Sequence, residues 1–219
     1  TQSQFSFISP KKNFSTISGG NVVLNVVAGD KYGNPAKEGT PVSFTTNGGI
    51  IEASNTLNTS GQTSATLQFA NPLPPNGIAT VEARTVGEGG ITVRDTIALV
   101  FSREAIISEL NSSLTNFEID DGGSKTFQYS VTDINGNPLA LGTTISVTAT
   151  GSGAGTLQLF GDLKINVPDT KLKGSGTTQF SFTALDTTKN DGKGPQSTKF
   201  TITVDGPNTN GSKLQSYDG

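Results

Sequence analysis

The sequence predicts an all-β protein built from two tandem β-sandwich domains. The chain has 219 residues, which suits two domains of about 100 residues, each able to bury its own core. It contains 27 glycines and only 15% charged residues, a balance that favours many turns and short strands. No segment shows a sustained helical stripe of apolar residues.

Alternating apolar residues predict six strands in the first half of the chain, separated by clusters of Gly, Asn, Asp and Pro. The predicted strands are Phe5 to Ile8, Val22 to Ala28, Pro41 to Thr46, Ser64 to Phe69, Ile78 to Arg84 and Ile91 to Phe101.

The second half of the chain shows a similar series of strands. They are Lys125 to Val131, Thr144 to Ala149, Thr156 to Phe160, Leu163 to Val167, Thr178 to Ala184 and Lys199 to Val204.

Within each half, two of these strands place apolar side chains on one face, and we expect those faces to form the core. The core positions are Leu24, Val26, Ala28, Val42 and Phe44 in the first half, and Phe127, Tyr129, Val131, Ile145 and Val147 in the second. Each side chain that is fully buried contributes about 1.5 to 3 kcal/mol.

A repeated motif indicates that the two halves are copies of one module. The stretch "DKYGNPAKEGTPVSF" begins at Asp30, and "DINGNPLALGTTISV" begins at Asp133, so the offset is 133 − 30 = 103 positions. The same offset pairs the alternating apolar residues of 97–101 with those of 200–204. It also predicts that the loop 186–197 corresponds to "RTVGEGG", which begins at Arg84.

These observations predict domains at residues 1–102 and 103–205, with residues 206–219 as a polar tail or linker. The chain starts at Thr1 without a leader, which suggests a processed or excised piece. No apolar run approaches the roughly 20 residues of a membrane-spanning helix, so we expect no membrane insertion by this fragment.

Charge and composition argue against several function classes. The net charge of −3 gives no electrostatic reason to bind nucleic acid. With no His and no Cys, the chain lacks the usual catalytic base, the thiolate nucleophile and the common transition-metal ligands. We therefore predict no enzyme activity, no cofactor, and no catalytic, cofactor-binding or metal-binding residue.

Acidic residues in two places allow a calcium interpretation beside a structural one. Asp30 and Asp133 precede the Gly-Asn-Pro turns, where an Asp side chain accepts turn amides, and this turn-capping role is favoured. Glu118, Asp120 and Asp121 form a denser cluster, interpreted as a solvated loop or as a calcium site.

The order of motifs in the first half resembles the bacterial immunoglobulin-like repeats of the invasin and intimin type. The residues that carry the resemblance are "YGNP", "TPVSF", "TSGQTSATLQF", "GIATVEART" and "RDTIALVFS". The second half keeps "DINGNPLALGTTISV" but departs after Gly151. The resemblance implies two tandem immunoglobulin-like β-sandwiches on a bacterial cell surface or in a secreted protein.

In such proteins most repeats are spacers, and particular terminal domains contact receptors. The resemblance thus implies a structural or adhesive module whose partners are flanking domains of the same longer chain and a host or cell-surface protein or glycan. The loop at residues 186–197 is a candidate binding tip.

The alternative is a carbohydrate-binding accessory module of a larger secreted enzyme. Sugar platforms use exposed aromatic faces, and the candidates are Tyr32, Phe160 and Tyr217, although Phe160 also suits a core position. A crosslink between a Lys and an Asn side chain is a further possibility for a surface stalk.

The short connection "VFSREAIIS" has no Gly/Ser-rich or Pro-rich spacer. We therefore expect a stiff, elongated, end-to-end pair of domains. Small-angle scattering measures this, and a compact particle or freely reorienting domains would contradict it.

Overall fold

A computed structural model of the chain describes residues 4–111, 114–209 and 213–219. The chain divides into two compact units, Thr1–Phe101 (unit 1) and Ser102–Gly219 (unit 2). This division lies one residue before the boundary that the sequence predicts. The described residues contain no helix that is long and apolar enough to cross a membrane.

Unit 1 consists of two sheets of antiparallel strands around one core. Its strands are β1 (Gln4–Ile8), β2 (Asn13–Ser15), β3 (Asn21–Gly29), β4 (Pro41–Thr46), β5 (Ile50–Ile51), β6 (Ser54–Thr56), β7 (Gln62–Gln68), β8 (Ile78–Val86) and β9 (Thr92–Ser102). A 3-10 turn, Glu88–Gly90, connects β8 and β9. One sheet has the order β1-β3-β7-β5 and the other β2-β9-β8-β4-β6.

Within its described residues, unit 2 repeats this plan with eight strands. They are β10 (Ala105–Asn111), β11 (Ser124–Asp133), β12 (Thr144–Thr150), β13 (Leu157–Gly161), β14 (Lys164–Asn166), β15 (Gln179–Asp186), β16 (Lys199–Asp205) and β17 (Lys213–Asp218). The sheets have the orders β10-β11-β15-β13 and β14-β12-β16-β17.

The predicted core positions are buried in both units. Along β3, buried and exposed side chains alternate without interruption from residue 21 to residue 28. In unit 2, rings from both sheets and from the loop before β11 pack together, with centroids between 4.5 and 5.3 Å apart. These rings are Phe117, Phe127, Phe182 and Phe200.

The predicted strands agree with the observed ones to within about two residues at most ends, and β4 matches at both ends. The short strands β2, β5 and β6 are absent from the prediction. Strands of two or three residues are too short to display an alternating pattern, so their positions depend on partner strands instead.

The repeat offset of 103 holds for β3 and β11 and for β4 and β12, but it is wrong for the last strands. In unit 1, β8 lies between β4 and β9; in unit 2, β16 lies between β12 and β17. β16 therefore corresponds to β8, and residues 200–204 do not correspond to 97–101. Alternation repeats every two residues in any strand, so it does not identify which strand is matched.

The loop 186–197 also corresponds to a different segment of unit 1 from the one that the sequence predicts. It joins β15 to β16, as residues 69–77 join β7 to β8. A pair of hydrogen bonds supports this equivalence: Phe69 N–H donates to the Gly20 carbonyl, and Asp186 N–H donates to the Gly123 carbonyl.

The segment 206–219, which the sequence predicts as a polar tail or linker, contains β17. This strand pairs antiparallel with β16, from Lys213 opposite Val204 to Asp218 opposite Lys199. Tyr217 is buried in the core of unit 2. The polar composition of the segment concealed the strand, because an edge strand needs few buried side chains.

Carboxylates occupy open edges of the sheets in both units. Glu52 accepts the N–H of Thr66 on β7 at 2.8 Å, and Asp162 accepts the N–H of Ser181 on β15 at 2.9 Å. Both strands extend beyond their short outer neighbours β5 and β13. Each carboxylate therefore satisfies a strand amide that lacks a neighbouring strand.

We expect the substitution Tyr217→Ala to lower the stability of unit 2 by about 3 kcal/mol, because it leaves a cavity beside the aromatic core. Calorimetry of the whole chain measures the change. Tyr32→Ala is the matched control, because Tyr32 is 77% exposed. Equal effects of the two substitutions would contradict a core role for β17.

Candidate functional site

The repeated turn of unit 1 is organised around the carboxylate of Asp30. One oxygen accepts the backbone N–H groups of Tyr32 at 2.8 Å and Asn34 at 2.9 Å, and the other accepts Asn34 Nδ2 at 2.8 Å. These hydrogen bonds, that of the Asn34 side chain above all, lower the pKa of Asp30. Gly33 has a φ of 87°, which favours glycine.

The turn of unit 2 has the same geometry around Asp133. Its Oδ1 accepts the N–H groups of Asn135 at 2.9 Å and Asn137 at 2.8 Å, and its Oδ2 accepts Arg103 N–H at 3.2 Å. Gly136 has a φ of 71°. The turn-capping role is therefore confirmed for both residues.

The two turns differ in burial. Asp133 is 1% exposed and Asn137 is 2% exposed, whereas Tyr32 and Asn34 lie in an exposed turn. Part of this difference comes from the residues before β10, which lie against the turn: Ser102 donates its hydroxyl to the carbonyl of Pro138 at 3.1 Å.

Asn208 joins these residues to the loops of unit 2. Its Oδ1 accepts Ala140 N–H at 2.7 Å and the Thr143 hydroxyl at 3.2 Å. Its Nδ2 donates to Ser102 Oγ at 2.7 Å and to the carbonyl of Arg103. Asn208 is fully buried. The sequence did not identify this residue, because it lies in the segment predicted as a tail.

A cleft lies at the end of unit 2 where three loops meet, and we call it the loop-end cleft. Its volume is about 780 Å³. It is lined by parts of residues 117–121, 153–157 and 186–198 and by Gly219. The cleft thus unites the predicted binding loop with the acidic cluster, which lie far apart in the sequence.

Most cleft carboxylates bind neighbouring loop groups. Asp186 accepts the N–H groups of Gly122 and Thr188, each at 3.1 Å, and Asp121 accepts Asn190 N–H at 2.8 Å. The hydrogen bond from Gly122 is the main reason that the pKa of Asp186 is lowered. These contacts connect the loop 186–197 to the turn before β11.

Asp191 holds the tip of the same loop. It accepts the N–H of Lys193 at 2.9 Å, and its other oxygen lies 3.1 Å from Lys193 Nζ. The backbone hydrogen bond from Lys193 lowers the pKa of Asp191.

The acidic cluster is exposed, as expected of a solvated loop. Glu118, Asp120 and Asp121 all lie at the surface of the cleft. Within the described residues, no group of three or more His, Cys, Asp or Glu side chains is arranged to hold a metal ion. The geometry gives no support to the calcium interpretation.

The aromatic candidates do not form a platform for sugars. Tyr217 is buried, so its interpretation as a sugar-binding residue is wrong. Tyr32 and Phe160 are exposed, at 77% and 44%, but they belong to different units. Neither unit presents a row of exposed aromatic rings among its described residues.

The crosslink between a Lys and an Asn side chain also lacks structural support. The lysine side chains that the structure describes are exposed, apart from the half-buried Lys125. A hydrated ammonium group is a weak nucleophile.

Comparisons with known proteins identify similar structures but no family. No model of a known protein family matches the sequence, and no curated protein matches it. Among solved structures, the chain is similar to the Yersinia pseudotuberculosis adhesin InvE, at 14% identity and a TM-score of 0.37. The match covers 98% of this chain and 58% of the InvE chain.

Two further similar structures match over almost their whole length. The D0-D1 domain of intimin is 16% identical, with 97% of this chain and 96% of that chain covered and a TM-score of 0.37. Domains 4 and 5 of the S-layer protein SbsC are 16% identical, with 98% and 96% covered and a TM-score of 0.37.

InvE and intimin are thus among the solved structures to which the chain is similar. The prediction of an all-β fold with two β-sandwiches is confirmed by the two sheets around one core in each unit. At these identities and TM-scores, the likeness carries no argument about function.

We expect Asp133→Ala to destabilise the protein by about 3 kcal/mol, because three amides near the buried turn lose a charged acceptor. Asp30→Ala is the matched comparison, and its effect should be clearly smaller because water replaces the acceptor in an exposed turn. Denaturant unfolding measures both changes. An equal loss for the two variants would show that burial does not set the strength of the motif.

The lowered pKa of Asp186 predicts a pH-dependent contribution to stability. Its contribution is complete above the ordinary pKa of 3.8 and is lost as the pH falls through the lowered value. The melting temperature of Asp186→Asn should therefore lie below that of the unsubstituted chain at pH 7, and the difference should shrink towards about pH 2. A difference that is independent of pH would contradict this.

Proposed function

We propose that this chain is a non-catalytic structural and adhesive module of a bacterial cell-surface or secreted protein. Its sandwich scaffolds hold the loop-end cleft of unit 2 in position for contact with another protein. The cell-surface or secreted setting follows from the resemblance of the sequence motifs to invasin-type and intimin-type repeats.

One observation carries the proposal: the carboxylates that recur in both units bind backbone amides. Asp30 and Asp133 cap the repeated turn, and Glu52 and Asp162 satisfy strand edges. A carboxylate that accepts backbone amides in this way is part of the scaffold. Reaction chemistry needs a poised acid, base or nucleophile beside a cleft.

One of the loops that line the loop-end cleft is longer than its counterpart in unit 1. Nine residues, 69–77, join β7 to β8, whereas twelve residues, 187–198, join β15 to β16. Asp121 accepts the N–H of Asn190 and Asp186 accepts the N–H of Gly122, and these hydrogen bonds hold the longer loop to its neighbour. A loop that is fixed by a rigid scaffold is a common location for recognition.

The cleft also presents carboxylates that are not used by the loops, those of Glu118 and Asp120. Both side chains are exposed on the cleft surface. An acidic rim of this kind steers a protein partner with basic residues towards the cleft.

Adhesion of beads coated with the whole chain to a panel of cell types tests the proposal. We expect Glu118→Lys/Asp120→Lys to reduce adhesion at least about fivefold, because charge reversal repels a basic partner. Glu38→Lys/Glu104→Lys is the control, with the same change of charge at exposed positions outside the cleft. Full adhesion by the cleft variant would show that the cleft is not the contact surface, and no adhesion by the original chain would leave the chain as a spacer.

A further inference from the structure

One sheet of unit 2 has a row of uncharged outward positions, which we call the neutral face. The exposed Glu109 of the edge strand β10 is not part of it, because Glu109 lies opposite the inward-facing Tyr129 and binds the loop at Leu114 and Thr115. The neutral face consists of the even-numbered residues 106–110, 124–132 and 158–160 and the odd-numbered residues 179–185. The residues between them on β11 and β15 point into the core, as the burial of Phe127 and Phe182 shows. Every residue of the neutral face is Ser, Thr, Gln, Ile, Leu or Phe.

The two sheets of unit 2 differ in charge. The other sheet of unit 2 carries Lys164, Lys199, Asp205 and Asp218 on its strands, and Lys199 Nζ lies 3.4 Å from Asp218. The corresponding sheet of unit 1 is also uncharged at its outward positions on β1, β3 and β7. At the margin of the neutral face, Asp162 uses its carboxylate to accept Ser181 N–H at 2.9 Å.

The neutral face combines hydroxyl groups with exposed apolar side chains. Thr126 and Thr183 lie opposite each other on β11 and β15, with their hydroxyl oxygens 2.8 Å apart. Phe160 is 44% exposed and lies opposite Thr183, and Leu110 at the other edge is 46% exposed. The face thus offers hydrogen-bonding groups in its centre and apolar contacts towards its edges.

We propose that the neutral face of unit 2 is the surface through which two copies of this chain associate. Unit 2 contains 9 basic and 12 acidic residues, 9 − 12 = −3, so it carries the whole net charge of the chain. Two copies therefore repel each other at most relative orientations. Contact through the neutral face brings no like charges together and buries no unpaired charge.

The side-chain chemistry of the face matches a second copy of itself. In a two-fold dimer, the same surface of each copy forms the interface, so a face with charges of one sign would oppose like charges on the second copy. A hydroxyl both donates and accepts, and a Gln side chain has both a donor and an acceptor, so identical faces complement each other. A charged partner gains no electrostatic attraction at the neutral face. A sugar could stack on one exposed ring of the face, that of Phe160.

Sedimentation velocity of the whole chain, from about 10 μM to 1 mM, tests the proposal at low and at high salt. We expect a dimer that forms with increasing concentration and persists in 1 M NaCl, because salt screens ionic contacts and leaves neutral ones in place. A chain that is monomeric at 1 mM, or a dimer that salt dissociates, would overturn the proposal.

Isosteric variants identify the face that is used. Gln128→Glu/Gln179→Glu places two charges on the neutral face and should raise the dimer Kd at least about tenfold. Asn166→Asp/Gln215→Glu adds the same charge to exposed residues of the other sheet and is the control. Equal effects of the two variants would assign the loss to overall charge and overturn the proposal.

A second pair of variants tests the apolar contact. Phe160→Ala should weaken the dimer, whereas Leu172→Ala, at a side chain that is 74% exposed in a loop, should leave it unchanged. Melting temperatures of all variants show whether unit 2 remains folded. A folded Phe160→Ala chain with unchanged association would contradict the assignment of the face.

Discussion

The need of every unpaired backbone amide for an acceptor shapes both units of this protein. A β-sandwich satisfies its central strands through the sheet ladders, but its turns and open edges have no such partners. Here carboxylates supply the acceptors, from Asp133 in the repeated turn to Asp162 at a strand edge and Asp186 in the long loop. The carboxylates that recur in both units are therefore parts of the scaffold.

The two copies keep this scaffold but use it differently. In unit 1 the turn around Asp30 is open to water, whereas in unit 2 the turn around Asp133 is covered by the residues before β10. Unit 2 also has the longer loop between β15 and β16 and all of the net negative charge. The covered turn, the longer loop and the net negative charge thus all belong to unit 2, whose sequence departs further from the shared motifs.

The fold was largely predictable from the sequence, because its strands and turns depend on residues that are close together in the chain. From Val22 to Ala28, β3 consists of β-branched and other apolar residues around one Asn, and the Asp-x-x-Gly-Asn-Pro turn contains its own acceptor, donor and glycine. The last strand was not predictable, because residues 213–218 are polar and owe their structure to pairing with β16. The loop-end cleft was predictable only as separate loops, because hydrogen bonds between distant residues such as Asp121 and Asn190 bring them together.

Asn208 has a consequence for how unit 2 responds to tension along the chain. Its amide holds Ser102 and Arg103, the residues through which a pulling force reaches β10, and it also binds the loop at Ala140 and Thr143. A load that arrives at Ser102 is therefore divided between the first strand and two loops on the opposite sheet. Both hydrogen bonds of the Asn208 side-chain nitrogen must break before Ser102 and Arg103 separate from these loops.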